Sequence, residues 1–139
     1  EFKLRVNNRK LAEGFYLGVG LTDTAAVLRS IDKLEKIGAE RVAEELQAEA
    51  GASADAAAAA LELAQIRTED ASFVEQVRAL AAKYSVEHEL LDQGLAELAE
   101  VIEEAARRAP GKVLADLSIA RGLDYYTGTV YETVLVGHE

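Results

Sequence analysis

Residues 121–132 read Arg-Gly-Leu-Asp-Tyr-Tyr-Thr-Gly-Thr-Val-Tyr-Glu. The arginine guanidinium offers two parallel donors to a carboxylate or a phosphate. The two adjacent tyrosines supply flat apolar walls with hydroxyl groups at their rims. The two glycines let the backbone approach a ligand closely, because glycine has no Cβ. This stretch therefore predicts a recess for a small zwitterion or acid.

The preceding residues place this arginine at the rim of a sheet. Residues 113–117 are Val-Leu-Ala-Asp-Leu, which predicts a buried strand that ends close to Arg121. From the residues alone a structural alternative stays open. Arg121 and Asp124 would then close a turn through an ion pair, and the tyrosines would belong to the core of a strand.

Three segments resemble one protein family, in the same order along the chain. Residues 121–132 resemble the histidine-binding motif of histidyl-tRNA synthetases, a class II aminoacyl-tRNA synthetase family. Residues 7–11, Asn-Asn-Arg-Lys-Leu, resemble the segment that follows the second class motif of that family. Residues 28–38 resemble the helix that leads into its insertion domain. The resemblance spans nearly the whole chain and is closer at both ends than in the middle.

The resemblance implies an ATP-dependent ligase that activates L-histidine as histidyl-adenylate and transfers it to tRNA(His). It implies that Arg121 is catalytic and binds the histidine carboxylate and then the α-phosphate. Tyr125 and Tyr126 would line the imidazole pocket, and Gly122 and Gly128 would allow close backbone approach. For the parent protein it further implies ATP with Mg²⁺, contact with the tRNA acceptor stem and a homodimer. We expect a cytoplasmic location, because no membrane span or signal peptide is recognisable in the sequence.

Other catalytic and metal-binding patterns are missing from the sequence. The chain has no cysteine, which excludes disulfides and thiolate metal sites. No His-Glu-x-x-His pattern, phosphate-binding Walker loop or Ser-His-Asp set is present. His88 and His138 have no carboxylate at ligand spacing, so we expect both to be surface residues and predict no metal site. No apolar run approaches the roughly 20 residues of a membrane span.

The 139 residues include no methionine, and we expect the chain to be an internal piece of a longer protein. The first class motif of the family and the second-motif arginine that binds ATP are absent. The third motif and the anticodon-binding domain would follow Glu139. We therefore expect this piece alone to bind no cofactor and to be inactive.

The charge is unevenly distributed along the chain, whose net charge is −10. Residues 34–112 carry eight Lys or Arg against seventeen Asp or Glu, a net charge of −9. Such an acidic segment argues against nonspecific nucleic-acid binding, which depends on neutralising phosphates. Contact with a tRNA acceptor stem would require several of its cations to share one face: Arg67, Arg78, Lys83, Arg107, Arg108 and Lys112.

We predict an α+β fold that is mostly α-helical. Amphipathic spacing and capping residues predict four or five helices in residues 39–110, which we interpret as a helical insertion domain. Residues 1–38 and 111–139 are interpreted as parts of a catalytic domain with an antiparallel sheet. The second of these parts carries the histidine-binding motif.

Two alternative functions belong to other classes of protein. One is the regulatory subunit of ATP phosphoribosyltransferase, a paralogue of the synthetase that charges no tRNA. Because that family lacks a substantial helical insertion, residues 39–110 argue against it. The other is a stand-alone helical interaction module in which residues 121–126 are only structural.

Overall fold

The computed structural model describes residues 2–121 and 129–135, which form seven helices and four strands. In chain order the elements are β1 (Phe2–Asn8), α1 (Arg9–Gly18), α2 (Thr24–Ile31), α3 (Leu34–Ile37), α4 (Ala39–Glu49), α5 (Ala54–Ala64), β2 (Arg67–Thr68), α6 (Phe73–Lys83), α7 (Glu89–Arg108), β3 (Val113–Asp116) and β4 (Thr129–Leu135). The predicted α+β class, with helix predominating, is confirmed.

The four strands form one sheet in the order β2-β3-β1-β4. Strand β1 pairs antiparallel with β4, and β2 pairs antiparallel with β3, as an antiparallel sheet requires. The β1–β3 pair is instead parallel. A parallel pair needs a long crossover connection, and here all seven helices and β2 lie in that connection.

Helix α7 crosses α1 at a contact made by two glycines. A Cβ atom on Gly94 would lie 2.1 Å from the backbone nitrogen of Leu11. A Cβ atom on Gly14 would lie 2.3 Å from the backbone nitrogen of Leu91. Both positions therefore require glycine for the two backbones to come this close.

The other helices pack mainly against their neighbours in sequence, and α4 contacts α2 and α5 while α5 contacts α6. Helix α7 lies instead against α1, β1 and β3. The domain boundaries after residues 38 and 110 stay a prediction, and α7 joins the two predicted units. Among the described residues, no helix is both long and apolar enough to cross a bilayer.

Asn8 connects the start of α1 to two other elements. Its Oδ1 accepts from the backbone N–H groups of Lys10 and Leu11, which caps the helix. Its Nδ2 donates to Glu97 on α7 and to the hydroxyl of Thr129 on β4. Hydrogen bonds from Lys10 and then from Asn8 lower the pKa of Glu97.

We expect Asn8→Asp to lower the free energy of unfolding. The carboxylate keeps the cap but donates nothing to Glu97 or Thr129, and it places a second negative charge beside Glu97. A lost hydrogen bond of this kind typically costs about 1–3 kcal/mol. Urea unfolding should show the loss, and adding Glu97→Gln should recover part of it. A gain in stability for Asn8→Asp alone would contradict this role of the Asn8–Glu97 bond.

Candidate functional site

Arg121 lies at the end of the buried segment that follows β3. Leu117, Ile119 and Ala120 are buried, whereas the Arg121 side chain is 83% exposed. One of its guanidinium nitrogens lies 3.5 Å from Oδ2 of Asp32, the residue directly after α2. The structure thus places Arg121 at the rim of the sheet, beside the α2–α3 connection.

The other predicted site residues lie outside the described residues. These are Gly122, Tyr125, Tyr126 and Gly128. Asp124 of the turn and His138, which is expected at the surface, also lie outside the described residues. Their predicted roles stay predictions.

A small polar recess of about 170 Å³ opens beside Arg121. Small-molecule pockets usually measure roughly 300–1,000 Å³. Cations and carboxylates share its lining with apolar side chains, and the lining residues are Arg5, Ile31, Asp32, Leu34, Glu35, Lys36, Ser118, Ala120 and Arg121. The recess is therefore smaller than a typical small-molecule pocket.

Asp116, at the end of β3, forms ion pairs with two arginines from neighbouring strands. Its side chain is only 1% exposed, and its Oδ2 lies 3.0 Å from Nη1 of Arg5 on β1 and 3.0 Å from Nη2 of Arg67 on β2. Its Oδ1 accepts from the backbone N–H and the hydroxyl of Ser118. Both oxygens of this buried carboxylate are therefore paired, which offsets the cost of burying it. We call Arg5, Asp116 and Arg67 the Asp116 clasp.

Two further hydrogen bonds hold the segment between Asp116 and Arg121. The backbone N–H of Leu117 donates to the carbonyl of Ile66, which precedes β2, at 3.0 Å. The buried amide of Asn7 donates to the carbonyl of Ile119 at 2.8 Å. The approach to Arg121 is therefore fixed from both sides, by β1 and by the residues that lead into β2.

Sequence reasoning missed the role of these surrounding residues. Charged residues at the spacing of Asp32 and Lys33 at the end of α2 are typical of a solvated helix face or of an attachment to the parent domain, and the structure places the Asp32 carboxylate 3.5 Å from Arg121. Asp116 was part of a predicted buried strand with no assigned partner. An aspartate in such a strand is itself a signal, because a buried carboxylate needs cationic or hydrogen-bonding partners.

Five of the six candidate cations of the acidic helical region pair with carboxylates. Arg78 pairs with Asp92, Lys83 pairs with Glu62, and Arg107 and Arg108 both pair with Glu104. Arg67 belongs to the Asp116 clasp. Each of these five cations therefore has a carboxylate partner, which reduces the positive charge that it could offer to a tRNA acceptor stem.

Within residues 2–121 and 129–135, no three His, Asp or Glu side chains are grouped so as to bind a metal ion.

The family model described as Histidyl-tRNA synthetase matches residues 10–139. A protein named histidine--tRNA ligase from Micrococcus luteus is 70% identical over 139 residues, which cover 100% of this chain and 30% of that protein. A protein of the same name from Thermobifida fusca is 57% identical over 129 residues, which cover 93% of this chain and 28% of that protein. The chain thus spans about 30% of the length of these relatives.

Two solved structures share the fold. A histidyl-tRNA synthetase from Nostoc sp. PCC 7120 superposes with a TM-score of 0.86 at 34% identity, covering 99% of this chain and 32% of that one. A Bacillus halodurans C protein, described as an ATP phosphoribosyltransferase regulatory subunit/histidyl-tRNA synthetase, gives a TM-score of 0.68 at 23% identity. It covers 96% of this chain and 34% of that one, and its likeness concerns the fold alone.

Proposed function

Because this chain belongs to the histidyl-tRNA synthetase family, we propose that it is part of an ATP-dependent ligase. This ligase activates L-histidine as histidyl-adenylate and transfers the histidine to tRNA(His). The observation that carries the proposal is 70% identity, over the whole chain, to a protein named histidine--tRNA ligase.

Arg121 is the catalytic residue of this proposal. Attack of the histidine carboxylate on the α-phosphate builds negative charge on phosphoryl oxygens. A fixed guanidinium at that point binds the transition state more strongly than the ground state. The exposure of Arg121 at the rim of the sheet supports this role, because its side chain is accessible to substrate.

Tyr125 and Tyr126 complete the histidine side of the proposal by lining the imidazole pocket. Gly122 and Gly128 allow the backbone to approach the ligand. A site that hydrogen-bonds a polar ring rejects apolar analogues, because their binding would leave its buried polar groups unpaired. The remaining contacts to histidine and the contacts to ATP come from elsewhere in the parent protein.

The parent is proposed to be a cytoplasmic homodimer that uses ATP with Mg²⁺ and binds the tRNA acceptor stem. Residues 1–38 and 111–139 belong to its catalytic domain, and residues 39–110 form its helical insertion domain. We assign no role in holding Mg²⁺ to the described residues. Their paired cations favour an acceptor-stem contact through shape or hydrogen bonding over one through charge.

The alternatives have less support. A regulatory subunit of ATP phosphoribosyltransferase is named for the Bacillus halodurans C structure, at 23% identity. The ligases reach 70% identity. A stand-alone helical interaction module is not favoured, because the family match covers residues 10–139, including both flanks of the helical region.

The full-length protein that carries this chain should exchange pyrophosphate into ATP in a histidine-dependent manner and should charge tRNA(His). Both activities are measured with purified protein and labelled substrates, and other amino acids serve as controls. Exchange that does not depend on histidine, or charging of a different tRNA, would overturn the proposed function.

Residues 1–139 alone should bind histidine only very weakly and show no ATP-dependent activity. The reason is that Arg121 is proposed to bind the histidine carboxylate and the tyrosines to line part of the imidazole pocket, whereas the groups that bind the α-amino group come from elsewhere in the parent protein. Isothermal titration with histidine, alone and with ATP, measures the affinity, and the full-length protein is the control. Micromolar binding by the isolated chain would mean that its site is self-contained.

A further inference from the structure

We propose that the Asp116 clasp positions Arg121 and thereby couples the helical region to the histidine site. The inference rests on the proposed function, and it names Arg67 and Asp116 as positioning residues for a catalytic group that they do not touch.

The clasp joins the helical region to the strand that leads to Arg121. Strand β2 has only two residues, Arg67 and Thr68, and it lies between α5 and α6. It pairs with β3 at the edge of the sheet, with Arg67 opposite Asp116. Backbone pairing and the Arg67–Asp116 ion pair therefore act at the same point of β3.

The segment from β3 to Arg121 depends on this point. Only four residues separate Asp116 from Arg121, and the Leu117 N–H and Ile119 carbonyl in this interval bond to Ile66 and Asn7. Leu117, Ile119 and Ala120 are buried. A shift of β2 relative to β3 is therefore passed through a short, packed segment to the Arg121 backbone.

The two arginines of the clasp differ in how much the fold depends on them. The Arg5 side chain is mostly buried beside Asp116, whereas the Arg67 side chain is 52% exposed. Removing Asp116 takes the buried partner from Arg5, whose other carboxylate, Glu35, is exposed, and removing Arg5 takes the more buried of the two cations from Asp116, so either change threatens folding. Removing the charge of Arg67 leaves the Arg5–Asp116 pair in place. A substitution of Arg67 therefore tests whether the clasp positions Arg121 while the buried ion pair that stabilises the fold is kept.

Arg67→Met in the full-length synthetase tests the proposal, with Arg78→Met as the matched control. Arg78 is also 52% exposed and also pairs with one carboxylate, Asp92, but it lies on α6 away from β3. We expect Arg67→Met to raise the KM for histidine and to lower kcat for pyrophosphate exchange roughly tenfold, because misplacing a catalytic group by about 1 Å can cost on the order of 100-fold. Arg67→Lys should restore part of the rate, and Arg78→Met should change neither parameter.

A variant that only lowers the folded fraction reduces the amount of active enzyme without changing the KM for histidine. A second readout is the double variant Arg67→Met with Arg121→Ala. Since Arg67 acts through Arg121, it should be no slower than Arg121→Ala alone.

The outcomes separate the two proposals. If Arg67→Met matches Arg78→Met while Arg121→Ala is impaired, the clasp does not position the site. Additive losses in the double variant would likewise overturn the coupling. If Arg121→Ala exchanges pyrophosphate at the unaltered rate, the catalytic role proposed for Arg121 is wrong, and the positioning role of the clasp is wrong with it.

Discussion

Arg121→Ala in the full-length synthetase is expected to slow histidyl-adenylate formation by on the order of 100- to 1,000-fold, the cost of removing one preorganised donor to a transition-state oxyanion. Alanine removes the guanidinium that we propose binds the histidine carboxylate and then the α-phosphate. The fold should persist, because the side chain is 83% exposed and its ion pair with Asp32 is exposed to solvent.

Histidine-dependent pyrophosphate exchange measures the effect, and a thermal melt reports the fold. Arg29→Ala is a suitable control, because Arg29 is an exposed arginine on the neighbouring helix α2. Near-normal exchange by a folded Arg121→Ala protein would mean that Arg121 is structural, as in a turn closed by an ion pair. Equal losses for Arg29→Ala would point to a general effect of surface charge.

Gly94→Ala is expected to have the largest effect on stability. The new methyl group would meet the backbone nitrogen of Leu11 at 2.1 Å and its Cα at 2.5 Å, so α1 and α7 must move apart. Overpacking usually lowers the free energy of unfolding by about 1–3 kcal/mol. The clashing atoms here belong to the backbone, which cannot relieve the clash by changing rotamer as a side chain can. Alanine regains only about 1 kcal/mol through its higher helix propensity. We therefore expect a net loss, seen as a lower midpoint in thermal or urea unfolding.

Gly18→Ala is the matched control at the end of α1. Its Cβ would lie 2.5 Å from a side-chain methyl group of Val86, which can rotate away. The loss of stability should therefore be clearly smaller than for Gly94→Ala. A Gly94→Ala protein that is more stable than the parent would show that α1 and α7 do not cross this closely.

Much of the fold follows from local sequence signals. Residues 2–6 alternate between apolar and charged side chains, which is typical of a half-buried strand and matches β1. The apolar run from residue 113 predicted β3. Asn8 and Asp23 cap α1 and α2, as short polar residues before apolar helical spacing indicate. These elements were predictable because their signals lie within a few residues of each other.

Two local capping patterns do not form caps in the structure. The spacing of Ser72 and Glu75 is typical of a capping box, but Ser72 makes no cap bond and donates to Asp70. Ser85 is a residue type that favours the start of a helix, but α7 begins four residues later and is capped by His88. The imidazole Nδ1 of His88 accepts from the N–H of Leu90.

The candidate site was less predictable than the helices. Arg121 was found through a twelve-residue pattern, whereas Asp32 and Arg67 reach the site from distant parts of the sequence. Strand β2 has two residues and no periodicity, so it was read as part of a helical region. Pairing between distant residues leaves little trace in a single sequence unless one partner is an unexpected buried charge, as Asp116 is.

The glycine crossing of α1 and α7 sets an order of events during synthesis. Gly14 and its contact Leu91 are roughly 80 residues apart in the sequence. A ribosome adds roughly 5–20 residues per second, so Leu91 is made about 4–16 s after Gly14. Helices α4, α5 and α6 touch near neighbours in sequence and have their partners during that interval. Strand β1 forms its pairs with β3 and β4, and helix α1 completes its packing against α7, only after that interval. Of the described residues, those around Arg121 are therefore among the last to gain their packing partners.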